Sequence, residues 1–305
     1  MKPLFSVSEA VRPYLLLIKS RVNRSEIIPV SFSLNTLIAY VTASVLSGMD
    51  LLSFSRGAIL AASAMLATAL SVYTYNDLTD LDIDRLNKLD RALATGKVSQ
   101  EDAKKLIFIL GIIGLASGFM INLRFFLILL TYFALFFIYS FPQVRLKNKF
   151  LLNKTTVGTG TAISYLLGGA AVGGIPPPIF IMAAFGFVAT VSSSTILDLR
   201  DIEGDKTHKV KTLPVVWGPE LTIRFCIALI CLVGIATTLG YYQLGFNIAF
   251  QILAPCVFVG WIFILYPLFR HWSDSSYVKN AVVRRIAPLG FLVQTLTLLG
   301  AVLSR

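Results

Sequence analysis

Residues 54–84 read FSRGAILAASAMLATALSVYTYNDLTDLDID. The first part, 54–75, carries a single charge, Arg56, and is otherwise apolar, small or aromatic. A helix of that length crosses the roughly 30 Å apolar layer of a bilayer. The part that follows, Asn76–Asp84, holds four aspartates. An apolar span that ends in a row of carboxylates sets the fold class and shows where the chemistry lies. The whole chain agrees. Its 305 residues are 56% hydrophobic and 14% charged, against about 25% charged in a soluble domain. So few charges cannot cover a water-facing surface, which excludes a disordered chain and an ordinary soluble enzyme. The apolar stretches do not alternate over about 10 residues, so a transmembrane barrel is excluded too.

Nine apolar stretches can be drawn, at 26–48, 54–75, 103–121, 124–141, 153–172, 177–198, 220–242, 246–268 and 283–303. They predict an all-α, polytopic membrane protein with nine transmembrane helices around a central cavity. The chain reads as one domain, 1–305. It has an interfacial segment at 1–25, two four-helix halves at 26–141 and 153–268, and a ninth helix at 283–303. Met1–Arg24 is amphipathic, has five basic residues and lacks a small-residue cleavage pattern. It reads as a helix on the membrane surface. With a cytoplasmic N-terminus and alternating sides, only Arg56, Arg124 and Arg305 of the 27 Lys and Arg fall outside. That positive-inside bias supports nine spans. It also explains the net charge of +11 without nucleic acid. The polar loops, and any polar chemistry, then face the cytoplasm of a prokaryotic plasma membrane.

Eight of the 16 acidic residues lie in two windows, Asn76–Asp84 and Asp198–Lys206. Both follow directly on an apolar stretch, the second and the sixth. Asp77, Asp80 and Asp84 stand at i, i+3 and i+7, and so do Asp198, Asp201 and Asp205. On a helix each triplet covers about 60° of one face. Asn76 lies beside the first face; Asp82 and Glu203 lie off theirs. Three carboxylates on one face repel one another, and at a helix C-terminus they also meet the negative end of the dipole. The arrangement calls for cations. Hard oxygen ligands suit Mg²⁺, which keeps waters and bridges one or two carboxylates to phosphate oxygens. The duplicated set therefore reads as a magnesium-bridged diphosphate site, weighed against a solvated acidic loop. Spans two and six share orientation, so spans one to four and five to eight read as parallel repeats, their acid-bearing ends meeting over the cavity.

Other signals are excluded or bland. Two histidines, His208 and His271, rule out a His-rich metal site. Cys226, Cys231 and Cys256 sit in apolar stretches and read as packing residues. Gly158, Gly160, Gly168, Gly169, Gly173 and Gly174 read as sites of close helix approach.

At these residues the chain resembles the UbiA superfamily of intramembrane prenyltransferases. Asn76–Asp84 matches its pattern N-D-x-x-D-x-x-x-D, and Asp198–Asp205 its second aspartate motif. DLRDIEGDKTHKVKTLPVVWG, at 198–218, is similar to the branch of homogentisate, chlorophyll and archaeal ether-lipid enzymes. Tyr139–Phe150 and Arg21–Val30 also resemble family segments. The resemblance implies Mg²⁺-dependent transfer of a prenyl group from an allylic polyprenyl diphosphate, through an allyl cation, to an aromatic or lipid-like acceptor. It implies magnesium on Asn76, Asp77, Asp80 and Asp84 and on Asp198, Asp201 and Asp205. Expected cationic helpers are Arg145 and Lys147, then Lys206 and Arg91, with Tyr139 donating its hydroxyl. Arg21, Asn23 and Arg24 are candidates for the diphosphate or the acceptor, and Tyr73 and Tyr75 for the cavity wall. Where the family commonly has Asn-Arg-Pro, this chain has Asp90-Arg91-Ala92. That departure leaves room for a terpene cyclase with no external acceptor. A cation transporter would place its acids near mid-bilayer, and none lies there.

Overall fold

The structure, a computed structural model, describes residues 9–22, 28–49, 51–86, 90–207, 210–239 and 248–302. Among them there is no strand. The helices are α1 (Arg12–Val22), α2 (Ile28–Leu46), α3 (Leu51–Thr79), α4 (Leu81–Leu86), α5 (Gln100–Ile121), α6 (Leu123–Ser140), α7 (Leu152–Ala171) and α8 (Pro177–Leu197). They continue as α9 (Ile202–Thr207), α10 (Leu213–Trp217), α11 (Pro219–Leu239), α12 (Ile248–Leu265), α13 (Leu268–His271), α14 (Ser275–Asn280) and α15 (Ala287–Val302). The protein is an integral, multi-pass membrane protein.

Of the nine crossings expected, seven helices among the described residues have the length and composition of a span. The other two expected positions hold α7 and α15. Gly, Ser and Thr dilute the apolar character of α7, and α15 has 16 residues. Both nevertheless pack among the spans. Neighbours follow in the order α2, α3, α5, α6, α7, α8, α11, α12, α15, and α15 returns to α2, closing a ring.

On α5 the small residues face inward. On α5 the buried positions are Ala103, Leu106, Gly111, Gly114 and Gly118. Phe108, Ile112, Ile113 and Phe119 point out, and Met120 is 78% exposed. A soluble helix does the reverse. Lipid is as apolar as leucine, so helices associate through close packing and hydrogen bonds rather than by hiding large side chains.

A close approach joins α2 to α7. Thr36 Oγ1 donates to the Ser164 carbonyl at 2.8 Å, and Asn35 Nδ2 donates to Ser164 Oγ at 3.1 Å. Gly168 lies against the α2 backbone. A Cβ there would stand 2.5 Å from both Tyr40 N and Ala39 Cβ. The glycine-rich stretch is thus a packing stripe at this position. Cys226 is likewise a packing residue, buried with its Sγ donating to the Ser192 carbonyl at 3.5 Å.

A small apolar cluster caps one end of the bundle. Leu17 of α1, Leu81 of α4, Ala92, Leu93 and Val98 of the following loop, and Ala103 and Leu106 of α5 pack together. The helix expected on the surface near the N-terminus is therefore held against the protein, with Leu17 and Arg21 buried four residues apart on one face.

Gly168→Ala should separate α2 from α7, since both obstructing groups belong to backbone or to a Cβ. Overpacking of this kind costs about 3 kcal/mol. Thermal unfolding of the detergent-solubilised protein measures it, and an unchanged midpoint would contradict the packing described.

Candidate active site

The first acid set sits where α3 runs into α4. Asp77 is 3% exposed and Asp84 4%. Burial at that level destabilises an anion unless cations and donors surround it. Arg21 reaches across from α1. Its Nε donates to Asp77 Oδ2 at 2.7 Å, its Nη2 to Asp77 Oδ1 and to the Tyr73 carbonyl at 3.0 Å. This fork-on-carboxylate geometry is the strong form of the pair. The guanidinium also lies 5.3 Å from the centre of the Tyr73 ring. Arg91 Nη1 bridges the set, 2.7 Å from Asp77 Oδ1 and 2.6 Å from Asp84 Oδ2. Burial pushes the Asp84 carboxyl above the usual carboxylate range, Arg91 pulls it back, and Asp77 and Asp80 push it further up. Asp82 is exposed, on the side away from the set as its spacing requires.

Asp80 takes its cations from the loop between α6 and α7. Lys147 Nζ donates to Asp80 Oδ1 at 2.5 Å and to Asn76 Oδ1 at 3.2 Å. Arg145 Nη2 donates to the Thr79 carbonyl at 3.1 Å and approaches Asp80 Oδ1 at 3.4 Å. Ser140 Oγ donates to Asn76 Oδ1 at 2.8 Å. Burial lowers the Lys147 ammonium pKa and the bond to Asp80 raises it. Two non-glycine residues at positive φ bracket this loop, Arg145 (φ 41°) and Leu151 (φ 62°). Such backbone persists only where the surroundings over-determine it.

The second acid set begins as a 3-10 turn, Asp198–Asp201, before α9. The tighter turn replaces the single α-helical face expected from the spacing. Lys154 Nζ, on the first turn of α7, donates to Asp198 Oδ1 at 2.7 Å and to the Ser194 carbonyl at 3.0 Å. Asp198 Oδ2 is buried and accepts no hydrogen bond. The Asp201 side chain is 50% exposed and paired with its neighbour Arg200 at 2.7 Å. Asp205 accepts from Thr212 Oγ1 at 3.1 Å.

One short segment joins the two sets: Lys147 holds Asp80, and Lys154 holds Asp198. Tyr139 donates to Asn153 Oδ1, next to Lys154 in the chain, at 2.9 Å. The structure thus gathers Asn76, Asp77, Asp80, Asp84, Asp198, Arg21, Arg91, Tyr139, Arg145 and Lys147. Lys206 is exposed and, among the described residues, joins no ion pair. Asn23 and Arg24 lie outside the described residues. Tyr75 stacks on Phe137 with ring centres 4.4 Å apart. Lys154, Ser140 and Thr212 were not singled out from sequence. A lysine inside an otherwise apolar stretch was the available signal for Lys154. Among the described residues no three His, Cys, Asp or Glu side chains form a ready-made metal cage.

Comparison with known proteins bears on this arrangement. The UbiA prenyltransferase family model matches residues 36–284. Digeranylgeranylglyceryl phosphate synthase of Sulfurisphaera tokodaii is 32% identical over 77% of this chain and 83% of its own length. The protein of that name from Methanosphaera stadtmanae is 26% identical over 84% and 92%. A solved structure concerned with digeranylgeranylglyceryl phosphate synthase in membranes aligns with a TM-score of 0.74, 24% identity, and coverage of 96% of this chain and 99% of that one. A UbiA homologue from Archaeoglobus fulgidus bound to GPP and Mg²⁺ aligns at 0.69 and 20% identity, over 94% and 99%. Family match, fold and paired aspartate motifs agree: the chain belongs to the UbiA prenyltransferase family.

Proposed function

We propose that this prenyltransferase moves a prenyl group from an allylic polyprenyl diphosphate to a hydroxyl of a glyceryl phosphate acceptor. The observation that carries the reading is the convergence of both acid sets on the Lys147–Lys154 segment, in a chain whose relatives are named for a glyceryl phosphate product. Those names give no support to an aromatic acceptor, and that half of the expectation is not carried forward. We place the site at the cytoplasmic face of a prokaryotic plasma membrane, on the charge asymmetry of the loops. The two halves at 26–141 and 153–268, with a ninth helix at 283–303, are our reading of the repeated neighbour order.

A divalent cation fits the donor set. Every candidate ligand is a hard oxygen, and Asp198 Oδ2 is buried with no hydrogen-bond donor on it. Such donors suit magnesium, which takes one or two carboxylates and completes its shell with water and phosphate oxygens. Asn76, Asp77, Asp80 and Asp84 would hold one ion, and Asp198, Asp201 and Asp205 another. When bound, the ions neutralise charge that develops on the leaving diphosphate.

The remaining work falls to the chain. Arg21 and Arg91 hold the buried Asp77 and Asp84 in register. Lys147, Arg145 and Lys154 are placed to meet phosphate oxygens, Arg through a planar fork and Lys as a point charge. Tyr139 is fixed by Asn153 beside both sets. In the reaction the bond from C1 of the prenyl chain to the diphosphate oxygen breaks, and its electron pair leaves with the diphosphate. The acceptor oxygen bonds to C1, and its proton passes to the diphosphate or to water.

Purified protein with Mg²⁺, geranyl, farnesyl or geranylgeranyl diphosphate and a geranylgeranylglyceryl phosphate acceptor should release diphosphate only when acceptor is present. The product should gain one prenyl mass. Release without acceptor, with a hydrocarbon or terpene alcohol formed, would make the chain a cyclase. Cation transport in liposomes with no release would make it a transporter.

Asp198→Asn should lower kcat/KM on the order of 10²–10³-fold, the scale of losing one electrostatic stabiliser, with the helical circular dichroism intact. Undiminished turnover would remove Asp198 from the site. Asp77→Ala should destabilise as well as inactivate, because it strands two arginines. Breaking one partner of a buried pair costs about 3–5 kcal/mol, readable from the unfolding midpoint. Chelation with EDTA should abolish turnover and added Mg²⁺ should restore it; activity that survives chelation would end the divalent-cation reading.

A further inference from the structure

Where α10 passes into α11, a groove of about 490 Å³ opens towards the residue that follows α13. Its walls are Trp217, Glu220, Leu221, Arg224 and Trp272, around the turn made by Gly218 and Pro219. Its size lies within the roughly 300–1,000 Å³ usual for small-molecule sites. Gly218 takes φ 80°, and Trp217 before it packs on Phe225 of α11 with ring centres 5.4 Å apart. Thr212, just before α10, donates to Asp205, which puts the groove at the acid-set end of the bundle. Among the described residues, none of the five wall residues pairs with an aspartate of either set.

Glu220 and Arg224 stand one turn apart on the same face of α11. Both are exposed, and among the described residues neither joins an ion pair. The groove therefore presents one anion and one cation that the protein leaves unmatched. A guanidinium takes a phosphate through its planar fork, and a carboxylate accepts from an ammonium. Only a ligand with both groups answers both charges. A purely anionic headgroup would meet Glu220, and an uncharged one would answer neither. Trp217 is 42% exposed, and Trp272 is partly exposed. Tryptophan favours the boundary between water and lipid, and its ring face attracts an ammonium.

The groove continues into an apolar track. From Leu221 and Arg224 the exposed positions of α11 run on through Ala228, Leu232, Ile235 and Leu239, at steps of three and four residues that keep to one face. A polar end with both charges, joined to an apolar row the length of a span, has the shape of a lipid. We infer that the groove binds the headgroup of a zwitterionic phospholipid with a primary amine. Its phosphate lies on Arg224, its ammonium on Glu220, and a hydrocarbon chain along the exposed row of α11. The bound lipid is a resident of this face and takes no part in prenyl transfer.

The chain has three tryptophans. Two line the groove and the third, Trp261, is buried, so quenching by brominated lipid chains reports on the groove. The full-length protein is reconstituted in phosphatidylglycerol bilayers that receive a rising share of brominated phosphatidylethanolamine. Parallel titrations use brominated phosphatidylglycerol and brominated diacylglycerol, which has no phosphate. Half-quenching by phosphatidylethanolamine should need a share on the order of 10-fold lower than either, the scale of one charge-assisted bond. Glu220→Gln should abolish or reverse the preference over phosphatidylglycerol. Arg224→Gln should abolish the preference over diacylglycerol. Lys104→Gln, at the exposed start of α5, should keep both preferences. Circular dichroism checks that each variant is folded.

Equal curves for the three lipids in the unaltered protein would overturn the proposal. A lead for phosphatidylglycerol would assign the groove to an anionic lipid and overturn it as well. Quenching by none of them would mean that another protein surface, such as a second copy of the chain, covers this face. A preference for phosphatidylethanolamine that survives both Glu220→Gln and Arg224→Gln would place that lipid elsewhere, against the proposal. Quenching needs no turnover, so a failure here leaves the prenyl-transfer reading standing, and the reverse holds too. Turnover of both groove variants in detergent should match that of the unaltered protein.

Discussion

An aspartate that is 3% exposed at the end of a membrane helix is the constraint around which this end of the molecule is arranged. Asp77 has little contact with solvent, and an ion in that position is tolerated only with close partners. Arg21 and Arg91 supply them. Each arginine needs an element to carry it, so α1 folds back against the bundle and the 90–96 loop closes over α4. The apolar cluster of Leu17, Leu81, Leu93 and Leu106 fixes both elements. Gly96, at φ 72°, ends the loop in a conformation other residues resist. Local burial of one carboxylate thus dictates the placement of two polypeptide segments.

The same logic extends to the second acid set. Lys147 and Lys154 sit on one short connection, and each is tied to an aspartate from a different part of the chain. This connection locks the two motifs in a fixed relation. The cations that hold the carboxylates are also the groups for which a polyanionic substrate would compete. A site held by internal ion pairs and hydrogen bonds has charge of both signs ready when ligand arrives. The bundle beneath is built from the opposite material. Small residues let its helices approach, as at Gly168 and Gly114, around buried rings such as Phe32, Phe125 and Tyr132.

Much of this was readable from residue order. Asp77, Asp80 and Asp84 announce themselves by spacing, because no helix gains stability from three stacked carboxylates. Their repetition at Asp198, Asp201 and Asp205 says that the pair has a common purpose. Arg91, Arg145 and Lys147 could be named as candidates because they are basic and near in sequence to loops that must face the acids. Lys206 satisfied the same criterion, yet it is exposed. Proximity in sequence does not say which way a short helix turns. Lys154 stands at the start of an apolar stretch, where a charge reads as the end of the span.

Sequence alone determined the membrane environment, the all-helical class and the two acidic ends, since each follows from composition and period over a few turns. The tertiary structure decided which cation meets which carboxylate. It set Arg21 of α1 on Asp77 and turned Asp198–Asp201 into a 3-10 turn. These outcomes depend on contacts between segments tens to hundreds of residues apart, where the free energy of burying a charge, not any local preference, chooses the partner.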